Sequence, residues 1–339
     1  MNQFTRRQFL ISTAAAVAAP ALVMPKFARA AEINLKFGTN LPANHPLNIR
    51  ANEAAERILK ETGGQVQLNV FPNNQLGNDA DMLSQLRAGA IDFFTVSGVN
   101  VLSQMVPVSS IYGLGFAFSD EDTVHRALDG DLGKYLRGKF TKVGLMAMDN
   151  IWSSGFRQIT NSVRPITTPD DLKNLKIRVP VSPLWTSLFQ HLGAAPASIN
   201  FAEVYSSLQT KVVDGQENPL SIISIAKLYE VQKYCSMTNH MWDGFWCMSS
   251  MKAWNRLPEK VRPIVAQNLN RSALDMRGDV AKLNVSLKGD LQAKGMVFNT
   301  PDPAPFRTML SKSGFYAEWR KKYGDEAWEM LEKYTGKLG

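Results

Sequence analysis

The chain has 339 residues, with 38 Lys and Arg against 30 Asp and Glu, a formal charge of +8 at pH 7, and 45% hydrophobic residues. That length suggests two lobes rather than one core. The positive charge is scattered, with no basic tract interleaved with aromatics, which argues against nucleic-acid binding.

In chain order, Thr5-Arg6-Arg7-Gln8-Phe9-Leu10 reads as a twin-arginine export signal and Ala28-Arg29-Ala30 as its small-residue cleavage site. The apolar run between them is short and alanine-rich, and Pro20 and Pro25 interrupt it, so it does not suit a membrane span. Residues 1–30 are expected to be removed on export to the periplasm. The leader holds four cations and no acid, so the remaining chain would carry +4. No later segment is apolar enough to cross a bilayer, and a soluble mature protein is expected.

Residues 33–37 alternate like a strand, residues 47–60 read as a helix ended by Gly63 and Gly64, and Val66, Leu68 and Val70 alternate again. Residues 79–88 are helical. Residues 91–96 form the near-continuous apolar run of a strand covered on both faces. One helix is expected from Asp120 to about Gly138, then a strand at 142–148. This β-α-β-α order argues for an open α/β sheet. After Trp152 the pattern restarts: a strand at 156–160, a helix entered through Thr168 and Pro169, a strand at 177–179, and helices at 183–192 and 201–211. Two strand-like segments, 230–237 and 245–250, precede one long helical region from 258 to about 294, long enough to bridge two lobes. A strand and two helices finish the chain.

The stretch from Lys176 to Leu220 carries the strongest functional signal. Arg178 is a lone cation between apolar strand residues, in Lys176-Ile177-Arg178-Val179-Pro180. Such a cation is costly to bury without an anionic partner, and either a ligand carboxylate or a structural Asp or Glu would serve. Arg157 taken alone reads first as a surface strand residue, with a second anion contact as the alternative. The Asn218 amide could donate to a ligand or close the turn before Pro219. His45, His125, His191 and His240 have no metal-ligand spacing, so no metal or other cofactor is expected. His240 taken alone reads as a core histidine. Trp152, Trp185, Phe201, Trp242, Phe245 and Trp246 read mainly as core, with one or two of them walling a pocket. Cys235 and Cys247 are expected as two buried thiols, with a bridge as the alternative. No nucleophile, base and oxyanion site assemble in the sequence, which argues against an enzyme.

Several motifs together resemble one family. They are Lys176-Ile177-Arg178-Val179-Pro180, the Leu208-Gln209-Thr210 to Asp214-Gly215-Gln216-Glu217-Asn218-Pro219 segment, and Leu35-Lys36-Phe37-Gly38-Thr39-Asn40. Phe71-Pro72-Asn73-Asn74-Gln75-Leu76-Gly77, Tyr229-Glu230-Val231-Gln232-Lys233 and Thr238-Asn239-His240 complete the set. In order and spacing they resemble the DctP-type substrate-binding proteins of TRAP (tripartite ATP-independent periplasmic) transporters. The resemblance implies a two-lobed periplasmic binding protein fold of α/β class, with hinge strands and a long helix bridging both lobes. Lobe I is expected over 31–154 plus 244–283 and lobe II over 155–243 plus 284–339.

The resemblance also implies that Arg178 salt-bridges a ligand carboxylate, supported by Arg157 and Asn218. Asn40 and Phe201 would line the cleft and His240 would lie near the ligand. The implied partners are a small organic acid and the small and large membrane subunits of the transporter. Sialic-acid receptors of the family use an acidic and a basic residue where this chain has Ser97 and Asn100, which speaks against sialic acid. Ser97, Asn100, His45 and Asn40 suggest a hydroxyl-rich uronate or aldonate. Trp152, Trp185 and Trp242 suggest an aromatic or branched 2-oxo acid instead. A C4-dicarboxylate receptor and a secreted enzyme acting on a carboxylate also stay open.

Overall fold

The computed structural model describes residues 31–338, so the expected export leader lies outside the described residues. Alternating apolar residues set the first pairing: β1 (Ile33–Gly38) runs parallel to β2 (Val66–Phe71), with Leu35 opposite Leu68. Between them α1 (Pro46–Glu61) buries Leu47, Ala51, Ala54, Ala55 and Ile58, a stripe of helical spacing. His45 caps it, its Nδ1 accepting the Leu47 N–H at 3.2 Å. A reciprocal Asn78–Asp81 capping box opens α2 (Asp79–Ala88). β3 (Phe93–Ser97), buried at every residue, then lies parallel to β1.

A short helix α3 (Leu102–Met105) and a 3-10 segment (Pro107–Gly113) lead to α4 (Glu121–Asp129) and α5 (Asp131–Lys142). The single helix expected here is broken at Gly130. The break is tight: a Cβ on Gly133 would lie 1.7 Å from the Leu128 carbonyl oxygen, so only glycine lets the second helix start so close to the end of the first. β4 (Leu145–Ala147) and β5 (Trp152–Asn161) follow. Thr168 and Pro169 open only a 3-10 turn, Pro169–Leu172, instead of the expected helix. The remaining crossovers are β6 (Lys176–Val179), α6 (Pro183–His191), β7 (Ala195–Ser198), α7 (Val204–Gln209), β8 (Gly215–Asn218) and α8 (Leu220–Ile225).

Where two strand segments were expected, the chain forms one 17-residue strand, β9 (Tyr234–Ser250). The polar Thr238-Asn239-His240 segment does not end it but bulges. Pairing passes from Arg157↔Met241 to Ile159↔Ser236, so residues 237–240 face Gln158 alone. Asn239 takes a left-handed φ of 45° there. The Gln158 side chain holds it at both ends, accepting the Asn239 N–H at 3.1 Å and donating to its Oδ1 at 2.6 Å. After α9 (Met251–Arg256) come α10 (Arg262–Ala293), β10 (Val297–Asn299) and three helices, α11 (Ala304–Lys312), α12 (Phe315–Tyr323) and α13 (Asp325–Thr335). Two C-terminal helices were expected. Gly314 and Gly324, both at positive φ, separate three.

The sheet order is β2-β1-β3-β9-β5-β8-β6-β7, with β4 and β10 also paired to β9. The outer triplets are parallel, whereas β9 and β5 run antiparallel to each other and to β3 and β8. Two parallel halves are thus joined by two long antiparallel strands. The 32-residue α10 spans both halves. Val265, Leu269, Ala273, Met276 and Val280 pack with α1 and the first three strands, while Leu287 and Leu291 pack with Val204, Leu208, Ile223 and Cys235.

Candidate functional site

β5, β6, β8 and β9 bring a set of charged side chains to the middle of the sheet. Arg157 on β5 is buried, not the surface residue that its own sequence surroundings suggested. Its Nε and Nη2 donate to the two Glu217 carboxylate oxygens at 2.5 and 2.8 Å, and its Nη1 donates to Asp243 Oδ2 at 3.0 Å. The guanidinium also lies 4.8 Å from the centre of the Trp185 ring. Glu217 accepts two further hydrogen bonds, from Trp185 Nε1 and His240 Nε2, each at 3.1 Å. Burial alone would raise the Glu217 pKa, but the Arg157 charge and the donated bonds outweigh it and hold the group at about 2. With Nε2 donating to that carboxylate, His240 Nδ1 accepts from the Thr238 hydroxyl at 2.8 Å. Burial keeps the imidazole neutral by lowering its pKa. The β9 bulge is what turns His240 onto Glu217.

Arg178 is different. It is buried at 2% exposure, yet among the described residues it makes no ion pair, and its one hydrogen bond runs from Nε to the Ile199 carbonyl at 2.8 Å. Glu217, in the same sequence stretch, belongs to Arg157 instead. Burial, with the neighbouring Arg157 charge adding to it, pushes the Arg178 pKa down to about 9. The guanidinium therefore stays charged at neutral pH while, among the described residues, both Nη groups lack an acceptor.

Both arginines line a small cavity of about 30 Å³ with Asn40, Asp79, Ser97, Asn100, Asn218 and Asp243, walled by Leu41, Pro180, Trp185, Phe201, Ile222 and Phe245. Asn218 Nδ2 donates to Gln216 Oε1 at 2.5 Å. Two acids, Asp79 and Asp243, also line the cavity. Asp79, the first residue of α2, accepts from Asn40 Nδ2 at 2.9 and 3.1 Å and from Asn100 Nδ2 at 2.6 Å. Burial raises its pKa to about 6 against the pull of those amides. Ser97 donates to Asp243 Oδ1 at 2.6 Å.

Of the residues singled out in the sequence, Arg178, Arg157, Asn218, Asn40, Phe201, Ser97, Asn100, Trp185 and Phe245 thus line one cavity. Four others expected at the ligand lie elsewhere. His240 sits behind Glu217, and Trp242 packs edge-on to Tyr112 and His125. Trp152 packs against Phe37, and His45 caps α1. Asp79 and Asp243 were not foreseen. Asp79 looked like an ordinary acidic residue at a helix start. Asp243 lies between Trp242 and Gly244 in an apolar strand, and the signal that marked Arg178, a lone charge in such a strand, would have found it. Cys235 and Cys247 are both buried free thiols.

The model for the bacterial extracellular solute-binding protein family 7 (DctP) matches residues 37–321. The chain belongs to this family. Among family relatives, it is 33% identical over 330 residues to the C4-dicarboxylate-binding periplasmic protein DctP of Vibrio cholerae, covering 94% of each chain. It is 37% identical over 207 residues to the 2,3-diketo-L-gulonate-binding periplasmic protein YiaO of Escherichia coli, covering 61% of this chain and 62% of that one. The chain spans about half, 47%, of the length of the Sinorhizobium fredii protein y4mM, to which it is 39% identical over 255 residues.

Solved TRAP periplasmic solute-binding proteins share the fold. The sugar acid binding protein DctPAm of Advenella mimigardefordensis in complex with galactonate matches with a TM-score of 0.86 and 29% identity, covering 91% of this chain and 100% of that one. A Bordetella protein with density assigned to pantoate matches at 0.84 and 30%, covering 90% and 99%. A Sulfurospirillum deleyianum protein with bound succinate matches at 0.84 and 28%, covering 91% and 100%. The two-lobed α/β fold expected from the motifs is therefore the fold of this chain. The family and these structures are solute receptors rather than enzymes.

Proposed function

We propose that this chain is the periplasmic receptor of a TRAP transporter, capturing a small organic acid by its carboxylate and delivering it to the small and large membrane subunits. The observation that carries this reading is Arg178: a buried cation on a cavity wall that, among the described residues, has two unengaged Nη groups and no ion pair. A carboxylate there would accept two parallel hydrogen bonds and offset the desolvation of the guanidinium. Arg157 is already anchored by Glu217 and Asp243, so it positions charge beside the ligand rather than waiting for it. Phe201, Trp185 and Phe245 supply the apolar walls. Among the described residues no helix is long and apolar enough to cross a membrane, which suits a receptor that meets its membrane partners from outside the bilayer.

The ligand we favour is a sugar acid, a uronate or aldonate, because Asn40, Ser97 and Asn100 surround the cavity with polar groups. The galactonate complex of DctPAm is in keeping with that. The cavity as it stands has room for about one water molecule, so entry requires the halves to part. We assign the hinge to β5 and β9, the lobes to 31–154 plus 244–283 and 155–243 plus 284–339, and the bridge to α10.

The direct test is a thermal-shift screen of residues 31–339 against organic acids. A cognate acid at about a thousand times its dissociation constant should add about 4 kcal/mol of stability. No shift with any acid would reject the receptor reading.

A further inference from the structure

Helices α4 and α10 meet the start of β5 at two levels, and the levels differ. At the first, Arg277 of α10 donates Nη1 and Nη2 to the two Asp129 carboxylate oxygens of α4, at 2.6 and 2.8 Å. Its Nε and Nη2 also donate to the Ile151 carbonyl, just before β5, at 3.3 and 3.1 Å. Asn150 Nδ2 adds a bond to Asp129 at 3.2 Å. One guanidinium thus clamps α4, α10 and the entry to β5 together.

The second level lies about 12 Å along α4, about 10 Å along α10 and about 13 Å along the strand from the first. Its residues are Glu121, Asn284 and Gly155. The side of Gly155 that would carry a Cβ faces both side chains, with Glu121 Oε1 at 3.2 Å and Asn284 Nδ2 at 3.6 Å from that position. A carboxylate acceptor and an amide donor therefore flank one point. Among the described residues, neither makes a hydrogen bond or an ion pair. Burial raises the Glu121 pKa and neighbouring Asp122 adds to it, as for a carboxylate with no donor aimed at it. Gly155 sits at the register shift of β5, and the proposed lobes divide at 154/155 on β5 and at 283/284 on α10.

Resting on the receptor reading above, we propose that Glu121 and Asn284 form a latch for the open receptor. The Asn284 amide donates to the Glu121 carboxylate when the lobes part, and the bond breaks when they close on a ligand. Glu121 belongs to the half that Arg277 clamps, and Asn284 to the other. The sign follows from the arrangement described. The cavity has room for about one water molecule, so this is the closed form, and in it the pair makes no bond. Any bond between them therefore stabilises the open form and works against capture. Gly155 suits this, because a methyl group there would stand between the donor and the acceptor.

The experiment uses residues 31–339 as the parent, Glu121→Ala, Asn284→Ala and the double variant. Without ligand, small-angle X-ray scattering should give both single variants a smaller radius of gyration than the parent. Calorimetric titration with galactonate, D-erythronate and succinate should show every acid that binds gaining at least about threefold in affinity in each single variant. The factor should be common to all acids, because it reports the open–closed balance and not contacts with the ligand. The double variant should gain no more than the better single one. A radius that does not change, affinities that are unchanged or weakened, or a gain confined to one acid overturns the latch and leaves the receptor reading intact. If none of the three acids binds and the screen finds no other, the receptor reading fails, and the ligand-free scattering alone decides the latch.

Discussion

Arg157 and Arg178 lie two strands apart and do opposite things. Arg157 is held by Glu217 and Asp243 and stacked on Trp185, so its charge is matched from within the protein. Among the described residues, Arg178 has only a backbone carbonyl. Glu217 is the centre of the first arrangement, accepting from Arg157, Trp185 and His240. Removing its charge leaves Arg157 with one carboxylate and His240 and Trp185 with a weaker acceptor. Glu217→Gln should therefore destabilise the fold by about 3–5 kcal/mol, the usual loss when one member of a buried pair is removed, read as a lower midpoint in urea unfolding with unchanged slope. An unchanged midpoint would show that the network contributes little. At this scale the sequence exposed Arg178 as a lone charge in an apolar strand. It did not reveal which acid would claim which arginine, because the pairing depends on β5, β8 and β9 being neighbours in the sheet.

Two strands make the connection between the halves of the sheet, and both are irregular. β5 shifts register at Ser153 to Gly155, and β9 bulges opposite Gln158. Gly155 adopts φ +101°, a conformation that side chains rarely take, and a Cβ there would lie 3.2 Å from Glu121 Oε1. Gly155→Ala should cost about 1–3 kcal/mol, seen as a lowered thermal midpoint, and should alter ligand affinity if β5 flexes there during closure. A variant as stable as the parent would argue that the bulge relaxes freely. Strands and helices with clear periodicity, such as β1, α1, β2, α2 and β3, were legible from sequence. The single long β9 was not, because the polar Thr238-Asn239-His240 segment that looked like a break is a bulge held by Gln158 from the neighbouring strand. The division of the helix at Gly130 was hidden for a related reason: glycine inside an amphipathic pattern signals a break only when a close approach such as that of Gly133 to Leu128 requires it.

Across the whole molecule, several buried titratable groups link folding to pH. Burial holds the His45 imidazole at about 3 against an ordinary 6.5, with Nδ1 accepting the Leu47 N–H. The unfolded chain takes up that proton at higher pH than the folded one. His45 therefore contributes stability that is present above pH 6.5 and lost as the pH falls toward 3. Glu217, at about 2 instead of 4.5, adds stability that is lost over the lower range. Asp79, raised to about 6, acts in the opposite sense, losing its contribution as the pH rises through that value.

Acid should therefore lower the melting midpoint. His45→Asn, which keeps a capping acceptor, should flatten the decline between pH 6.5 and 4. An identical slope in the variant would remove His45 from this account. The two-lobed architecture was legible because its motifs run through the whole chain. The acids lining the cavity were not, because Asp79 and Asp243 are brought together only by the packing of α2 and β3 on β9.

The claim on which the rest depends is that Arg178 receives the ligand carboxylate. Calorimetric titration of the best acid from the screen into the parent and into Arg178→Ala measures it directly. The account predicts a loss of about 2–5 kcal/mol of binding free energy in the variant, with Arg178→Lys also weakened because an ammonium cannot make the two parallel bonds. An Arg178→Ala protein that binds the acid with unchanged affinity would contradict it.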